Sequence, residues 1–104
     1  MTKPDYTSEA YLLKAIAHPV RLEILEVLSE GQKCVADVEQ LIVGATQSSV
    51  SQHLALLRHC QLVGFKREGN KHCYFLTNPD MIIRLFKALR SEAIKNQIIE
   101  QPVL

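Results

Sequence analysis

The features that usually place a short chain in a class are mostly missing from this sequence. Lys and Arg number 12 against 11 Asp and Glu, a net charge of +1 over 104 residues. No global basic field advertises nucleic acid, so any such contact must rest on local clustering. No apolar run approaches the length of a bilayer span, and Met1–Ala10 (MTKPDYTSEA) lacks the apolar core of an export signal. Both absences point to a cytoplasmic protein with no membrane partner. The cysteines are Cys34, Cys60 and Cys73, odd in number and without paired spacing. That pattern argues against a disulfide framework and suits a reducing compartment. Repeats, low-complexity tracts and linkers are absent, so residues 1–104 read as one domain. No nucleophile–base pair, paired carboxylates or phosphate loop occurs at useful spacing, and no enzyme is expected.

What is present is enough apolar residues for a modest core, 47% of the chain, and one organising stretch. Thr46–Cys60 (TQSSVSQHLALLRHC) splits into two faces when wound at about 100° per residue. Val50, Leu54 and Leu57, widened by Leu56 and Cys60, form a side that docks on a core. Gln47, Ser48, Ser51, Gln52, Arg58 and His59 form the other, with only Ala55 among them. A merely solvated face usually carries Glu and Lys, good helix formers, rather than two Ser and two Gln. Gln presents a donor and an acceptor side by side and can read adenine, and Ser reaches either kind of base edge.

The rest of the chain arranges itself before and after that helix. Residues 1–7 are polar, contain Pro4 and are expected to be mobile. Ser8–Ala17 reads as a short first helix whose Tyr11, Leu12, Leu13 and Ile16 make a stickier surface than its own core requires. His18-Pro19 ends it, and Pro19 suits the first turn of a second helix through Ser29, with Leu22, Ile24, Leu25 and Leu28 inward. A third helix, Cys34–Val43, is expected to bury Val35, Val38, Leu41 and Ile42, with Gly44 as its stop and Thr46 as the N-cap of the next. Two short helices joined by a tight turn, the second exposing a polar face, describe a helix-turn-helix.

After Cys60 the period changes. Residues 62–68 and 71–77 are rich in strand formers and flank Gly69-Asn70, a strong two-residue hairpin signal. Lys66, Arg67 and Lys71 gather at its tip with only Glu68 against them, the local clustering that net charge hid. An edge charged against aggregation would look similar, but a basic hairpin straight after a helix-turn-helix makes a wing that can touch phosphates. The last helix, Pro79–Ile99, is apolar over too wide an arc for one contact stripe and wants a second partner. The expected architecture is therefore mainly α with a small β-hairpin, a winged helix-turn-helix. Its first helix and residues 79–99 would form a homodimer interface, so that the operator is pseudo-palindromic with half-sites about 34–36 Å apart, or a multiple of that.

The residues Leu13-Lys14-Ala15-Ile16-Ala17-His18-Pro19-Val20-Arg21-Leu22, then Cys34–Val38, then Gln47–Leu54, and the wing through Tyr74, together resemble the ArsR/SmtB family of bacterial repressors. The resemblance implies a dimer that occludes a promoter and lets go on sensing a metal, metalloid or thiol-reactive signal. It also implies DNA contacts from Gln47, Ser48, Ser51 and Gln52, the arc already exposed by the helical wheel. The inter-helix turn at Val43–Thr46 is one residue longer than the family pattern. Metalloid-sensing members open the third helix with Cys-Val-Cys-Asp; this chain keeps Cys34, Val35 and Asp37 but has Ala36, and Glu39 where a third Cys can occur. A lone thiolate is a poor soft-metal site. The family's zinc site on the last helix uses acids and histidines, and residues 78–97 contain no His.

Other ligand sets are no better. Cys60 and His53 stand about 10 Å apart along one helix face, and His72 and Cys73 point to opposite faces of a strand. Candidate sensing thiols are Cys34, beside Lys33 and near a helix start, and Cys73, across the hairpin from Lys66; either cation favours thiolate. A metal or metalloid held through Cys34, shared across the dimer, and thiol oxidation both stay open. Cys60 reads as a small buried apolar residue, His18 as a cap at the helix junction, and His53 as packed rather than reactive. Two rival readings are a winged-helix protein-interaction module and a repressor of this fold with no small inducer.

Overall fold

Side-chain acceptors set the starts of four helices in the computed structural model, which describes residues 3–92. Helix α1 (Tyr6–Ile16) is capped by Asp5, whose carboxylate accepts from the Ser8 N–H at 3.1 Å and the Ser8 hydroxyl at 2.7 Å. These bonds hold the Asp5 carboxyl below its ordinary pKa. Helix α2 (Pro19–Ser29) is capped by His18 Nδ1, which accepts from Val20 N–H at 3.0 Å, with Pro19 where a missing N–H costs nothing. Helix α4 (Gln47–His59) takes its cap from Thr46 Oγ1, at 3.1 Å from Ser49 N. Helix α5 (Pro79–Leu89) takes its cap from Asn78 Oδ1, at 3.2 Å from Met81 N. Such caps are worth about 0.5–2 kcal/mol each. Helix α3 (Val35–Leu41) has Cys34 in the cap position with no side-chain bond.

Helix α2 runs through the middle and packs against α1, α3, α4, α5 and the sheet. Its Ile24, Leu25 and Leu28 meet Val38 and Ile42 from the α3 side, Val50, Leu54 and Leu57 of α4, and Ile82 and Phe86 of α5. Leu62, Val63 and Leu76 close the core from the sheet side. Each fully buried Leu or Ile contributes roughly 1.5–3 kcal/mol, so this cluster supplies a large gross burial term.

The sheet has three antiparallel strands in the order β1 (Lys33–Cys34), β3 (Lys71–Leu76), β2 (Val63–Glu68). Strands β2 and β3 pair from Val63↔Leu76 to Glu68↔Lys71 around Gly69-Asn70, with Gly69 at φ +62°. The expected hairpin is there, in the expected register. Gly64 is required within it: a Cβ there would run into the ring of Phe75, its cross-strand partner. The chain turns from α4 into β2 through Gln61, at φ +63°. Thr77 holds that turn, its hydroxyl donating to the Gln61 and Leu62 carbonyls at 2.7 and 3.0 Å.

Several boundaries differ from those the sequence predicts. Helix α1 starts at Tyr6, so Tyr6 and Thr7, expected to be mobile, form its first turn because Asp5 caps them. Helix α3 stops at Leu41, where Ile42 turns extended (φ −88°, ψ 122°) and drops into the core. That leaves Leu41 49% exposed rather than buried. Leu56 is also mostly outward. Helix α5 closes with Arg90 as its C-cap instead of continuing to Ile99, and the predicted apolar positions Ala93, Ile94, Ile98 and Ile99 lie outside the described residues. Strand β1 was not foreseen, and neither was its consequence. It pairs Cys34 with Cys73, and the two sulfurs are disulfide-bonded. The sequence argued against a disulfide framework and left thiol oxidation open; this one cross-strand pair was not foreseen, because odd number and spacing say nothing of a cross-strand register.

Candidate nucleic-acid interface

The faces of α4 divide as its sequence periodicity predicts. Val50, Leu54 and Leu57 are completely buried. Gln47, Ser48, Ser51, Gln52, Ala55, Arg58 and His59 are exposed. No acid lies in the helix, so nothing on that face repels a phosphate. The five residues 42–46 link α3 to α4, with Gly44 at φ +83°. That conformation is open to glycine at little cost and closes the turn.

Besides its buried apolar side, α4 is tied to the end of α1 by an arginine that sequence reasoning left unassigned. Arg21 donates through Nε to the Ala15 carbonyl and through a terminal nitrogen to the Lys14 carbonyl at 3.3 Å, satisfying the end of α1. Its other terminal nitrogen lies 3.2 Å from His53 Nδ1 on α4. An arginine can only donate, so His53 accepts and carries its ring proton on Nε2. The His53 ring also packs on His18, centroids 4.4 Å apart. Burial, then His18 and Arg21, push its pKa below the ordinary value of 6.5. His18 and His53 thus serve as cap and packed residue, as expected. The signal for Arg21 was its position, one turn after the helix junction and on the half-buried side of α2.

The wing carries the expected cations, but they are not equivalent. Lys66 is in a 3.1 Å ion pair with Glu68, two residues along the same strand face. Glu68 also accepts from Gln32 at 3.3 Å. The Lys66 bond, then the Gln32 bond, hold its carboxyl below the ordinary carboxylate value. Arg67 and Lys71 are exposed with no acidic partner among the described residues. Arg58, at the end of the polar face, lies over the Phe65 ring of β2 at 4.2 Å, joining α4 to the hairpin. Phe65 in turn meets His72 and Tyr74 edge-on.

Cys34 and Cys73 sit between wing and α3. Cys73 is fully buried and Cys34 half-buried. Lys66 faces Cys73 across the hairpin, as the Gly69-Asn70 turn predicts. Cys60 is only half-buried, and its thiol beside Tyr11 raises that phenol's pKa through their hydrogen bond. Among the described residues no three His, Cys, Asp or Glu side chains gather where they could hold a metal ion. No described helix is long and apolar enough to cross a membrane.

Comparison with known proteins agrees with this geometry. A family model for bacterial regulatory proteins, arsR family, matches residues 18–64, from the cap of α2 through the reading helix into β2. An arsenical resistance operon repressor of Staphylococcus xylosus is 36% identical over 74 residues, 71% of this chain and 70% of its own. The structure of HlyU from Vibrio cholerae N16961 superposes with a TM-score of 0.73 at 32% identity, over 86% of this chain and 98% of its own. A homodimeric winged helix-turn-helix DNA-binding domain from Mycobacterium bovis, described as a possible ArsR-family regulator, matches with a TM-score of 0.72 over 100% of both chains. At 24% identity that last likeness is one of fold.

Proposed function

The chain belongs to the ArsR family of DNA-binding transcriptional repressors, and we propose that it grips a pseudo-palindromic operator as a homodimer through α4 and the wing. The observation that carries this reading is the exposed, acid-free Gln/Ser face of α4, locked in place from behind by Arg21 and His53. Gln47, Ser48, Ser51 and Gln52 enter the major groove and read base edges. Arg67 and Lys71 meet backbone phosphates, with Lys66 contributing less because Glu68 competes for it. A repressor works where its DNA is, which places this one in the cytoplasm.

The second copy docks through α1 and α5. Tyr6, Tyr11 and Leu13 of α1 are 77%, 55% and 60% exposed, and Ile83 of α5 is 40% exposed. So much apolar surface on short helices is the mark of an interface. The homodimeric state of the Mycobacterium bovis domain of the same fold supports that reading. The signal that releases DNA acts through Cys34 and Cys73. A metal or metalloid bound through Cys34 is disfavoured by the small number of ligands around it.

The test is to select a binding duplex from random-sequence DNA with the purified chain. Two chains per duplex, two half-sites related by a two-fold axis and an affinity falling steeply with salt are expected. Absent or salt-insensitive binding would instead favour a protein-interaction module.

A further inference from the structure

We propose that Arg58 and Phe65 form a clasp that sets the angle of the hairpin to α4 and so places Arg67 for its phosphate, which makes both of them positioning residues. The consequence for DNA rests on the repressor reading above; the clasp itself does not.

The hairpin is firm at its base and thinly supported beyond it. Val63 and Leu76, its first cross-strand pair, are buried, and Thr77 pins the turn that leads in from α4. Outward of the Phe65↔Tyr74 pair, Lys66, Arg67, Glu68, Lys71 and His72 are exposed and only Cys73 is buried. Twist varies most in a ribbon of two strands with no third beside it. The direction of the outer half is therefore set by whatever holds the hairpin where its burial ends.

Phe65 stands at that boundary with three side chains against its ring. His72 and Tyr74 meet it edge-on, with centroids 5.1 and 5.4 Å away, and Arg58 lies over it at 4.2 Å. Tyr74 is also the partner of Lys33 in β1, so the ring is braced from the far strand of the sheet as well as from α4. Arg58 occupies the last turn of α4, where the helix dipole favours a cation. Among the described residues no carboxylate pairs with it, and nothing of opposite charge draws it off the ring.

Register says what the clasp aims. Residues two apart on a strand share a face, and so do cross-strand partners. Phe65, Arg67, His72 and Tyr74 therefore line one face of the hairpin, and Lys66, Glu68 and Lys71 the other. Arg58 grips the first face, two residues and about 7 Å along the strand from Arg67. With the clasp closed, Arg67 stands at a fixed distance from the Gln/Ser face of α4, and little ordering is left to be done on binding. With it open, α4 keeps its place through its own buried side, so the base readers are undisturbed.

The test is a set of variants bound to the selected duplex. A cation over a ring at an exposed site is worth roughly two- to fivefold in an equilibrium, and in a dimer the contact occurs twice. Phe65→Leu should thus weaken binding to every duplex by about tenfold, with base preferences unchanged. Arg58→Lys keeps the charge but not the planar guanidinium and should behave like Phe65→Leu, whereas Phe65→Tyr should match the parent. Arg67→Ala should cost the parent about tenfold and Phe65→Leu no more than about threefold, because a residue already misplaced has less to lose. In NMR spectra of the free parent the Arg58 Hδ and Hε signals should be shifted upfield by the ring, and Phe65→Leu should remove the shift. Arg58 is exposed, so Arg58→Lys carries the test should Phe65→Leu fail to fold. Arg58→Lys binding as tightly as the parent, an undiminished effect of Arg67→Ala in Phe65→Leu, altered base preferences or unshifted Arg58 signals would each overturn the clasp. A parent that binds no duplex would instead sink the repressor reading, with the Arg58 signals still deciding whether the clasp exists.

Discussion

Two surfaces of this molecule are exposed for opposite reasons. The outer face of α4 shows glutamine, serine and arginine, residues content in water that need no partner to be stable. The outer side of α1 shows Tyr6, Tyr11 and Leu13, which are costly to leave wet. The first surface is unremarkable thermodynamically and is specified by hydrogen-bonding pattern; the second is specified by its burial debt. On the proposed reading, specificity for DNA would reside in the first and geometry for the operator in the second, because only a dimer sets two reading helices at a fixed spacing.

The sharpest way to break that comparison is to charge the apolar surface. Leu13→Asp, at a position 60% exposed, should leave the monomer folded. It should abolish the dimer in sedimentation velocity and weaken operator binding by about 10²-fold or more, since two-site avidity is lost. A dimer that survives the change would put the interface elsewhere.

Smaller effects belong to the polar surface. If Gln52 reads a base as proposed, Gln52→Ala should cost about 1–3 kcal/mol for the operator at one position of each half-site, with other sequences unaffected. Competition against single-base variants of the duplex measures it. Within the wing, Lys71→Ala should weaken all sequences alike and lower the slope of log K against log salt by about 1 per chain. Lys66→Ala should change the slope less, because Lys66 already neutralises Glu68. Equal slopes for the two variants would mean the ion pair opens on DNA.

The same contrast explains what was legible in the sequence. The two faces of α4 follow from a 3.6-residue period acting over thirteen residues, so Val50, Leu54 and Leu57 could be separated from Gln47, Ser48, Ser51 and Gln52 without coordinates. The hairpin register followed from Gly69-Asn70 alone, and with it the Lys66↔Cys73 pairing. Strand β1 was hidden because two residues, Lys33 and Cys34, carry no periodicity. Its partner is chosen by tertiary packing, so the Cys34–Cys73 contact was hidden with it. Leu41 was misplaced by extending a helical period past the point where Ile42 leaves the helix. The Lys66–Glu68 pair was readable, since residues two apart share a strand face. Counting charges at the tip concealed it.

The smallest expected effect lies beneath the polar surface, where His53 links α4 to Arg21. Its pKa in the folded chain is pushed below 6.5 by burial, His18 and Arg21. The unfolded chain therefore binds a proton at this site at pH values where the folded chain does not. Stability from this site is complete above pH 6.5, begins to fall as pH drops through that value, and stops falling below the lowered folded pKa. Protonation would also set a cation against Arg21 and remove its acceptor. His53→Gln keeps an acceptor without a titrating ring, so its thermal midpoint should lose less than the wild type's on going from about pH 7.5 to about 5.5. Parallel losses in the two proteins would show that the reading helix is held by packing alone, and that Arg21 and His53 merely touch.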